Sequence, residues 1–294
     1  MNVTKPVRRG VSILEVVVVI AILGLLVGLV LVAISNARIA AVRMQSINNQ
    51  RQIILSFHQL LDQQSSQLKS MPDSSRMQIK WTTNSTIFFQ LLPWTYGERK
   101  CGSEIATSAL DILECMQPTV LLYRSPGDPS LYVNPYLETV RGKCSYVYNM
   151  QALDKTFSFP FQLPDGTSQT IAFGEHYYYC KGNEQILDYT FPFALSEMDK
   201  NGGGTRRPTF ADLGSYDVMP ITENGQSRPS VPGTTFQSRP KIEDANSKMM
   251  QSPFAAGLPV AMFDGSVRTL APNIAESVYW GLITPGGGEV LGDY

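Results

Sequence analysis

The most regular hydrophobic pattern in the chain is a long apolar run near its start. Residues 11–34 read VSILEVVVVIAILGLLVGLVLVAI and follow the basic segment MNVTKPVRRG, residues 1–10, which contains no acid. About 20 apolar residues are enough for a helix to span a bilayer. Because no small-residue cleavage site of the AxA kind follows promptly, the run is expected to stay in the membrane. The basic residues before it favour a cytoplasmic amino terminus.

The helical pattern continues beyond this run, because no proline occurs from Val11 to Met71. Residues 35–64 form the predicted amphipathic half of the same helix. Their apolar positions make one stripe, which is expected to pack under a globular head. The positions of this stripe are Ala40, Ile47, Ile53, Ile54, Phe57, Leu60 and Leu61. A polar stretch from about Gln63 to Ser75 predicts the end of the helix and a loop.

Short apolar and aromatic runs, separated by Gly, Pro, Asn and Asp, occupy the chain from residue 76 onward. They predict an antiparallel β-rich head over residues 76–294 and, together with the helix, an α+β fold. The clearest hairpin joins PVAMF to SVRTL through Asp264 and Gly265, a pair that suits a type I′ turn. A similar turn is expected at Asp165 and Gly166. Residues 200–250 are polar and rich in Gly, Ser and Pro, which predicts a flexible insertion.

One acid interrupts the apolar run. Glu15 lies inside the predicted membrane span, where a carboxylate costs roughly 2.5–3.5 kcal/mol on insertion scales, so a partner is expected. If the chain were cut after Gly10, the new amino group of Val11 would provide a positive charge able to neutralise Glu15 of an adjacent subunit. The alternative is an ordinary single-span anchor whose Glu15 reaches the membrane interface.

Charge and histidine content argue against several other functions. The chain has 24 Lys plus Arg and 25 Asp plus Glu residues, a formal net charge of -1, and therefore lacks the basic surface expected for nucleic-acid binding. His58 and His176 are far apart, and neither belongs to a metal-ligand spacing or a nucleophile–base pair. We attribute the adjacent Glu175 and His176 to turn chemistry. The sequence predicts no catalytic residues, metal or cofactor, and no enzymatic activity.

The four cysteines all lie in the predicted head and none forms a CxxC pair, which argues against zinc. Of the three possible connectivities we favour Cys101 with Cys115 and Cys144 with Cys180, because both links close short loops. The alternative is four buried thiols.

The amino terminus resembles a known processing signal. Gly10 followed by VSILEVVVVIAILGLL is similar to the leader and first helix of type IV pilins and type II secretion pseudopilins. The resemblance implies cleavage after Gly10 by a prepilin peptidase, methylation of the new terminus at Val11, and an assembly role for Glu15 at the fifth mature position. Val11 differs from the phenylalanine or methionine usual in that family. The implied fold is pilin-like, with residues 1–10 as leader.

The rest of the chain resembles a bacterial domain-of-unknown-function family that joins a prepilin-type amino terminus to a distinctive carboxy-terminal domain. The blocks YRSPGDP, DGTSQTIAFGE and AMFDGSVRTLAPNIAESVYWGLITPGGGEV occur in the family's order. A histidine ten residues before an Asp-Gly pair marks the family, and Phe254 occupies that position here. Two cysteines frequent in the family correspond to Ser46 and Ser125, which implies the loss of one linked pair.

These patterns predict a pilin-like or pseudopilin subunit of a type II secretion or type IV pilus-like apparatus. Its expected partners are the prepilin peptidase, other pilin-like subunits and the inner membrane, with no nucleic acid. A single span would leave the head in the periplasm or at the cell exterior. The alternative is a single-pass membrane-anchored extracytoplasmic binding protein.

Overall fold

The structure is a computed structural model, and the chain in it divides into two compact units, residues 1–44 and 45–294. The predicted leader with Gly10, the predicted mature terminus Val11, residues 69–75 of the predicted loop, Cys101 and Cys115 lie outside the described residues. The described residues are 12–68, 86–95, 120–133, 142–153, 163–181, 185–187, 204–206, 208–211, 218–219, 228–229 and 235–288.

The first unit is formed by the start of one long helix, α1, which begins at Ile13 and ends at Leu68. Its side chains are exposed from Ile13 through Ala40. It is the one helix in the described part of the chain that is long and apolar enough to cross a membrane. Its most apolar stretch has a mean hydropathy of 3.4 and is not buried within the protein. An exposed apolar surface of this kind is typical of a segment that meets lipid or another apolar helix.

The second unit contains the rest of α1 together with short helices and strands. The further helices are α2 (Ile87–Gln90), α3 (Leu92–Thr95) and α4 (Glu276–Ile283). The strands are β1 (Tyr146–Asn149), β2 (Ile171–Glu175), β3 (Tyr179–Cys180), β4 (Gln185–Leu187), β5 (Gly204–Arg206), β6 (Thr209–Phe210), β7 (Val218–Met219), β8 (Arg228–Pro229), β9 (Gln237–Ser238), β10 (Gln251–Ser252), β11 (Leu258–Met262) and β12 (Val267–Leu270). The α+β architecture predicted from the sequence is confirmed.

The central sheet has five strands in the order β12-β11-β2-β1-β6. Its first three pairings are antiparallel, but β1 and β6 run parallel, with Tyr148 opposite Thr209. The sheet is therefore mostly antiparallel, as predicted, with one parallel pairing that the sequence did not predict. Strand β6 also lies within the predicted insertion 200–250, so part of that segment belongs to the sheet. The polar, glycine-rich residues around Phe210 hide this two-residue strand from pattern analysis.

Both faces of the central sheet are covered. Along β1, Tyr146 and Tyr148 belong to the core cluster that contains α1, whereas Val147 between them packs with α4. This alternation follows from the period of two in a strand. The predicted helix stripe is confirmed from Ile47 to Leu61, where its members are at most 8% exposed, while Ala40 is exposed. Phe57 is the centre of this packing, since its ring lies 6.0 Å from Phe173 and 5.9 Å from Phe263.

The predicted hairpin between β11 and β12 is confirmed, but its turn differs. Gly265 has φ +89°, and Asp264 is not among the residues with positive φ, so the type I′ turn was wrong. Gly265 N donates to Met262 O and Met262 N donates to Ser266 O. This is the three-residue loop in which a type I turn is followed by a left-handed glycine. One left-handed residue is enough here, and glycine adopts it without a steric cost.

We expect Phe57→Ala to lower the free energy of unfolding by about 3–5 kcal/mol, because it removes a fully buried aromatic ring. The measurement is urea unfolding of the detergent-solubilised full chain, followed by the fluorescence of the buried Trp280. Leu55→Ala is the matched control, since Leu55 lies on the same helix and is 58% exposed. Equal losses for the two variants would contradict the packing of α1 on the sheet.

Candidate functional site

In the first unit, Glu15 closes a hydrogen-bonded cap at the start of α1. Its Oε2 accepts from Ser12 N at 2.9 Å, and Ser12 Oγ accepts from Leu14 N at 3.3 Å. This is a capping box of the Ser-x-x-Glu kind, except that Ser12 accepts from the second helical residue and not from the third. The Ser-x-x-Glu spacing of Ser12 and Glu15 is visible in the sequence and predicts such a cap. The sequence prediction missed the cap because it considered only the cost of a charge in the membrane. Glu15 therefore has a partner within its own chain, and this partner remains in a chain that begins at Val11.

In the second unit, the largest departure from an apolar core is a group of four fully or almost fully buried polar side chains, which we call the Glu175 cluster: Ser46, Ser125, Tyr146 and Glu175. Glu175 is the last residue of β2, and Tyr146 lies directly opposite it on β1. Ser46 Oγ donates to Glu175 Oε1 at 2.9 Å, and Ser125 Oγ donates to the same oxygen. The hydroxyl of Ser46 has only one proton, and it donates that proton to Glu175. Tyr146 OH is therefore the donor in its bond to Ser46 Oγ, at 3.1 Å.

The environment of Glu175 favours the neutral carboxyl. Burial, as the largest effect, raises the pKa of Glu175 to about 8, and the nearby Asp128 acts in the same direction. The hydrogen bonds from Ser125 and Ser46 lower that pKa but do not outweigh burial. Burial and the charge of Glu175 also raise the pKa of Tyr146. A perturbed acid of this kind marks either a functional site or a structural network, and here the group has no exposed member.

Asp128 joins three segments of the head. Its Oδ1 accepts from Ser130 N at 2.8 Å and from Ser130 Oγ at 2.6 Å. Its Oδ2 accepts from Ser145 Oγ and Tyr178 N, both at 2.7 Å. Burial raises the pKa of Asp128, while these four hydrogen bonds lower it. Such a fully bonded carboxyl links the loop at Pro129–Tyr132 to the residues before β1 and after β2.

Helix α1 contributes two further polar side chains beside Ser46. Asn49 Nδ2 donates to Arg124 O at 3.2 Å, and Gln50 Nε2 donates to Pro259 O at 2.9 Å. These contacts reach the loop before Ser125 and strand β11. Together with the bond from Ser46 to Glu175, these hydrogen bonds connect α1 to three parts of the head, namely the loop at Arg124, strand β2 and strand β11. The site therefore stabilises the packing of α1 on the head.

Three residues at which the chain departs from the family that it resembles, Ser46, Ser125 and Phe254, are all buried in the head. Ser46 and Ser125, which the sequence resemblance aligns with two cysteines, bond to the same oxygen of Glu175, so the two positions are neighbours. Phe254, at the position of the family's histidine, is 5% exposed and packs on Gly127. A Cβ atom at Gly127 would lie 2.7 Å from Phe254 Cζ, so only glycine allows this approach. Phe254 provides no ligand atom.

The cysteines differ from the predicted linkage. Cys144 and Cys180 are buried thiols and are not joined to each other. They lie in separate core clusters, where Cys144 Sγ donates to Tyr146 O at 3.1 Å and Cys180 Sγ lies 4.0 Å from Tyr177 O. The disulfide between them was therefore wrong, and for these two residues the alternative of buried thiols holds.

Attributing Glu175 and His176 to turn chemistry was also wrong. Both residues are fully buried at the end of β2, and the ring nitrogens of His176 face Tyr177 O and Ser247 O at 2.6 and 3.1 Å. His58, on α1, is partly buried and lies against Phe57. Within the described ranges, no group of three or more His, Cys, Asp or Glu side chains is arranged to hold a metal ion.

We expect Asp128→Asn to lower the free energy of unfolding by about 2–4 kcal/mol, because its amide presents N–H groups to donors that now find a carboxylate oxygen. Chemical unfolding of the detergent-solubilised full chain measures the loss. Asp264→Asn is the matched control, since exposed Asp264 accepts one backbone bond, from Ser266 N at 2.8 Å, which an amide oxygen can replace. A loss at Asp128 no larger than at Asp264 would contradict a joining role.

Comparison with known proteins gives one match. No curated protein and no solved structure matches the chain. Residues 153–277, which include Glu175, Phe254 and the β11–β12 hairpin, match the model of the family described as protein of unknown function (DUF1559). Over these residues, less than half of its length, the chain is thus similar to a family often associated with pilin-like proteins.

Proposed function

We propose that the protein is a non-enzymatic pseudopilin, processed by prepilin peptidase after Gly10 and assembled through α1 into a type II secretion or type IV pilus-like apparatus. The observation that carries this proposal is the exposed apolar surface of α1 with a carboxylate in its first turn. The surface suits storage in the inner membrane and later packing against like helices. The carboxylate suits pairing with the amino group of a neighbouring Val11.

The free energy that the cap contributes is smaller than the cost of placing the carboxylate in the membrane, so pairing with a second subunit would still be favourable. A carboxylate at the centre of a membrane helix costs roughly 2.5–3.5 kcal/mol, and this is the most that Glu15, in the first turn of α1, would cost. A helix cap contributes about 1 kcal/mol, and the helix dipole adds about 0.3–1 kcal/mol for an acid in the first turn. At most about 1–2 kcal/mol then remains uncompensated within one chain. A counter-ion from a second subunit would offset this remainder and so favour association.

A second candidate is a single-pass anchored extracytoplasmic binding protein, and the capping box at Ser12 and Glu15 favours it. On this hypothesis Glu15 serves the start of its own helix and needs no neighbour. The head would then act alone, outside the cytoplasm.

The buried polar groups of the head support a role without catalysis. Glu175 and Asp128 are at most 2% exposed, and their donors come from the protein itself. A catalytic acid or base must reach a substrate proton, directly or through one water. These two acids are placed to hold segments together instead.

Processing gives the first test. We expect mass spectrometry of the native protein to find a chain that begins at Val11 and carries a methylated α-amine, because the leader ends at Gly10. A chain that begins at Met1, or one cut near residue 35, would contradict both the processing and the pairing of Glu15.

Assembly gives the second test, and the glutamine variant separates the two candidates. Glutamine at the third helical position still completes a capping box, but it carries no charge for a neighbouring amine. If Glu15 pairs between subunits, Glu15→Gln and Glu15→Ala will both insert normally, yet both will be recovered about five-fold less, or lower still, in sheared filaments or with the apparatus, roughly the effect of 1–2 kcal/mol per contact.

Glu243→Gln is the matched control, since Glu243 is an exposed acid of the head, 3.9 Å from Lys181. If Glu15→Gln is recovered like the control while Glu15→Ala is not, the cap is what assembly needs. Unchanged recovery of both Glu15 variants would favour the anchored binding protein.

A further inference from the structure

Among the described residues, two buried carboxyl or amide oxygens of the head have no hydrogen-bond partner. They are Glu175 Oε2 and Gln50 Oε1, on side chains that are both fully buried. An unpaired buried acceptor is costly, and native proteins rarely keep one without a reason. Here the two unpaired oxygens belong to residues that lie near each other between α1 and the sheet.

The strand register brings Glu175 and Gln50 together. In the pairing of β11 with β2, Val260 lies opposite Gly174, which places Pro259 opposite Glu175. Gln50 donates to Pro259 O, and Ser46, one helical turn earlier, donates to Glu175 Oε1. Residues four apart on a helix are neighbours on one face, as are residues paired across strands. The Gln50 amide and the Glu175 carboxyl therefore belong to neighbouring residues between α1 and the sheet.

Neither atom can donate as it stands. An amide oxygen and an ionised carboxylate oxygen are both acceptors only, whereas a protonated carboxyl has one O–H to give. Gln50 has already turned its NH₂ group towards Pro259 O, so its oxygen is the end that remains. A single proton on Glu175 Oε2 would satisfy both acceptors at once.

We propose that Glu175 holds a proton at neutral pH and donates it to Gln50 Oε1, so that a neutral hydrogen bond locks α1 to the sheet. This lock lies entirely within the second unit and does not depend on the fate of the leader. It completes a directional chain in which Tyr146 donates to Ser46, Ser46 donates to Glu175, and Glu175 donates to Gln50.

The groups around Glu175 support a retained proton. From the loop before β1 comes Asp128, an acid, and from β1 comes the phenol of Tyr146, while α1 and β11 present the uncharged Ser46, Gln50 and Pro259. The adjacent His176 has its ring nitrogens at the carbonyl oxygens of Tyr177 and Ser247, and it is not among the groups that shift the pKa of Glu175. Burial raises the pKa of Glu175 from its ordinary 4.5 to about 8.

The lock makes stability depend on pH in a defined direction. The unfolded chain releases its proton near pH 4.5, but the folded carboxyl keeps it up to about pH 8. The stabilisation is therefore complete below pH 4.5 and declines as the pH rises towards 8. Above that pH the folded state carries a buried anion beside an unpaired oxygen, and contact between α1 and the sheet weakens.

Glu175→Gln is the direct test. Its amide oxygen accepts from Ser46 and Ser125, and its NH₂ group donates to Gln50 Oε1, without any titration. In thermal unfolding of the detergent-solubilised full chain, we expect the wild-type Tm to fall between pH 5 and pH 8 and the variant's Tm to fall clearly less. Glu243→Gln, at an exposed acid, should keep the wild-type slope. An unchanged slope in Glu175→Gln would overturn the proposal.

Infrared spectroscopy tests the proton itself, even if that variant fails to fold. The wild type should show the carbonyl band of a protonated, hydrogen-bonded carboxyl at pH 7, and this band should titrate away towards pH 8 and above. Gln50→Leu removes the acceptor, so the midpoint of the titration should move to lower pH while the band from Glu175 persists below it. Absence of the band in the wild type at pH 7 would mean an ionised Glu175, satisfied by a water or a cation, and would overturn the lock.

Discussion

The burial of the central strands on both faces is the constraint from which the rest of the head follows. All five residues of β2 are buried, with the core around α1 on one side and the core around α4 on the other. A polar group on such a strand has no access to water, so its partners must come from the protein. Glu175 and Asn149 both show this requirement. Asn149 meets it by donating to Ile171 O and Ile283 O, which fixes the end of α4 against the sheet.

The polar contacts of α1 contribute something that its apolar stripe cannot. Contacts such as that of Phe57 with Phe173 stabilise the helix on the sheet but tolerate small displacements, because dispersion and burial have little directional preference. A slide by one helical turn would present similar apolar residues, yet it would separate Ser46 from Glu175 and Gln50 from Pro259. We therefore interpret the buried polar contacts as the feature that selects one register of helix on sheet, a role attested for buried polar groups elsewhere.

Local patterns predicted the parts of the fold that are decided locally. The spacing of Ile47, Phe57 and Leu61 was enough to identify the buried side of α1, and Asp264-Gly265 was enough to find the hairpin. Strand β6 was missed because two residues carry no period, and only their parallel pairing with β1 makes them a strand. The cysteines were paired by loop length, but distance in space decides a disulfide, and Cys144 and Cys180 lie in different clusters. The type of the hairpin turn depended on the φ angle of Asp264, which residue type alone does not fix.

Glu15 and Glu175 show why one candidate site could be predicted from the sequence and the other could not. Glu15 is surrounded by apolar residues in the sequence itself, so the free-energy cost of placing its carboxylate in hydrocarbon can be predicted from the sequence alone. Glu175 has a polar residue, His176, beside it, and its apolar surroundings arise only when α1, β1, β11 and the loop at Ser125 come together. The physical answers differ accordingly. Glu15 lies at a helix start, where a backbone N–H group and the helix dipole stabilise an acidic side chain, whereas Glu175 is fully buried near another acid, and this favours a carboxyl that keeps its proton despite its two hydroxyl donors.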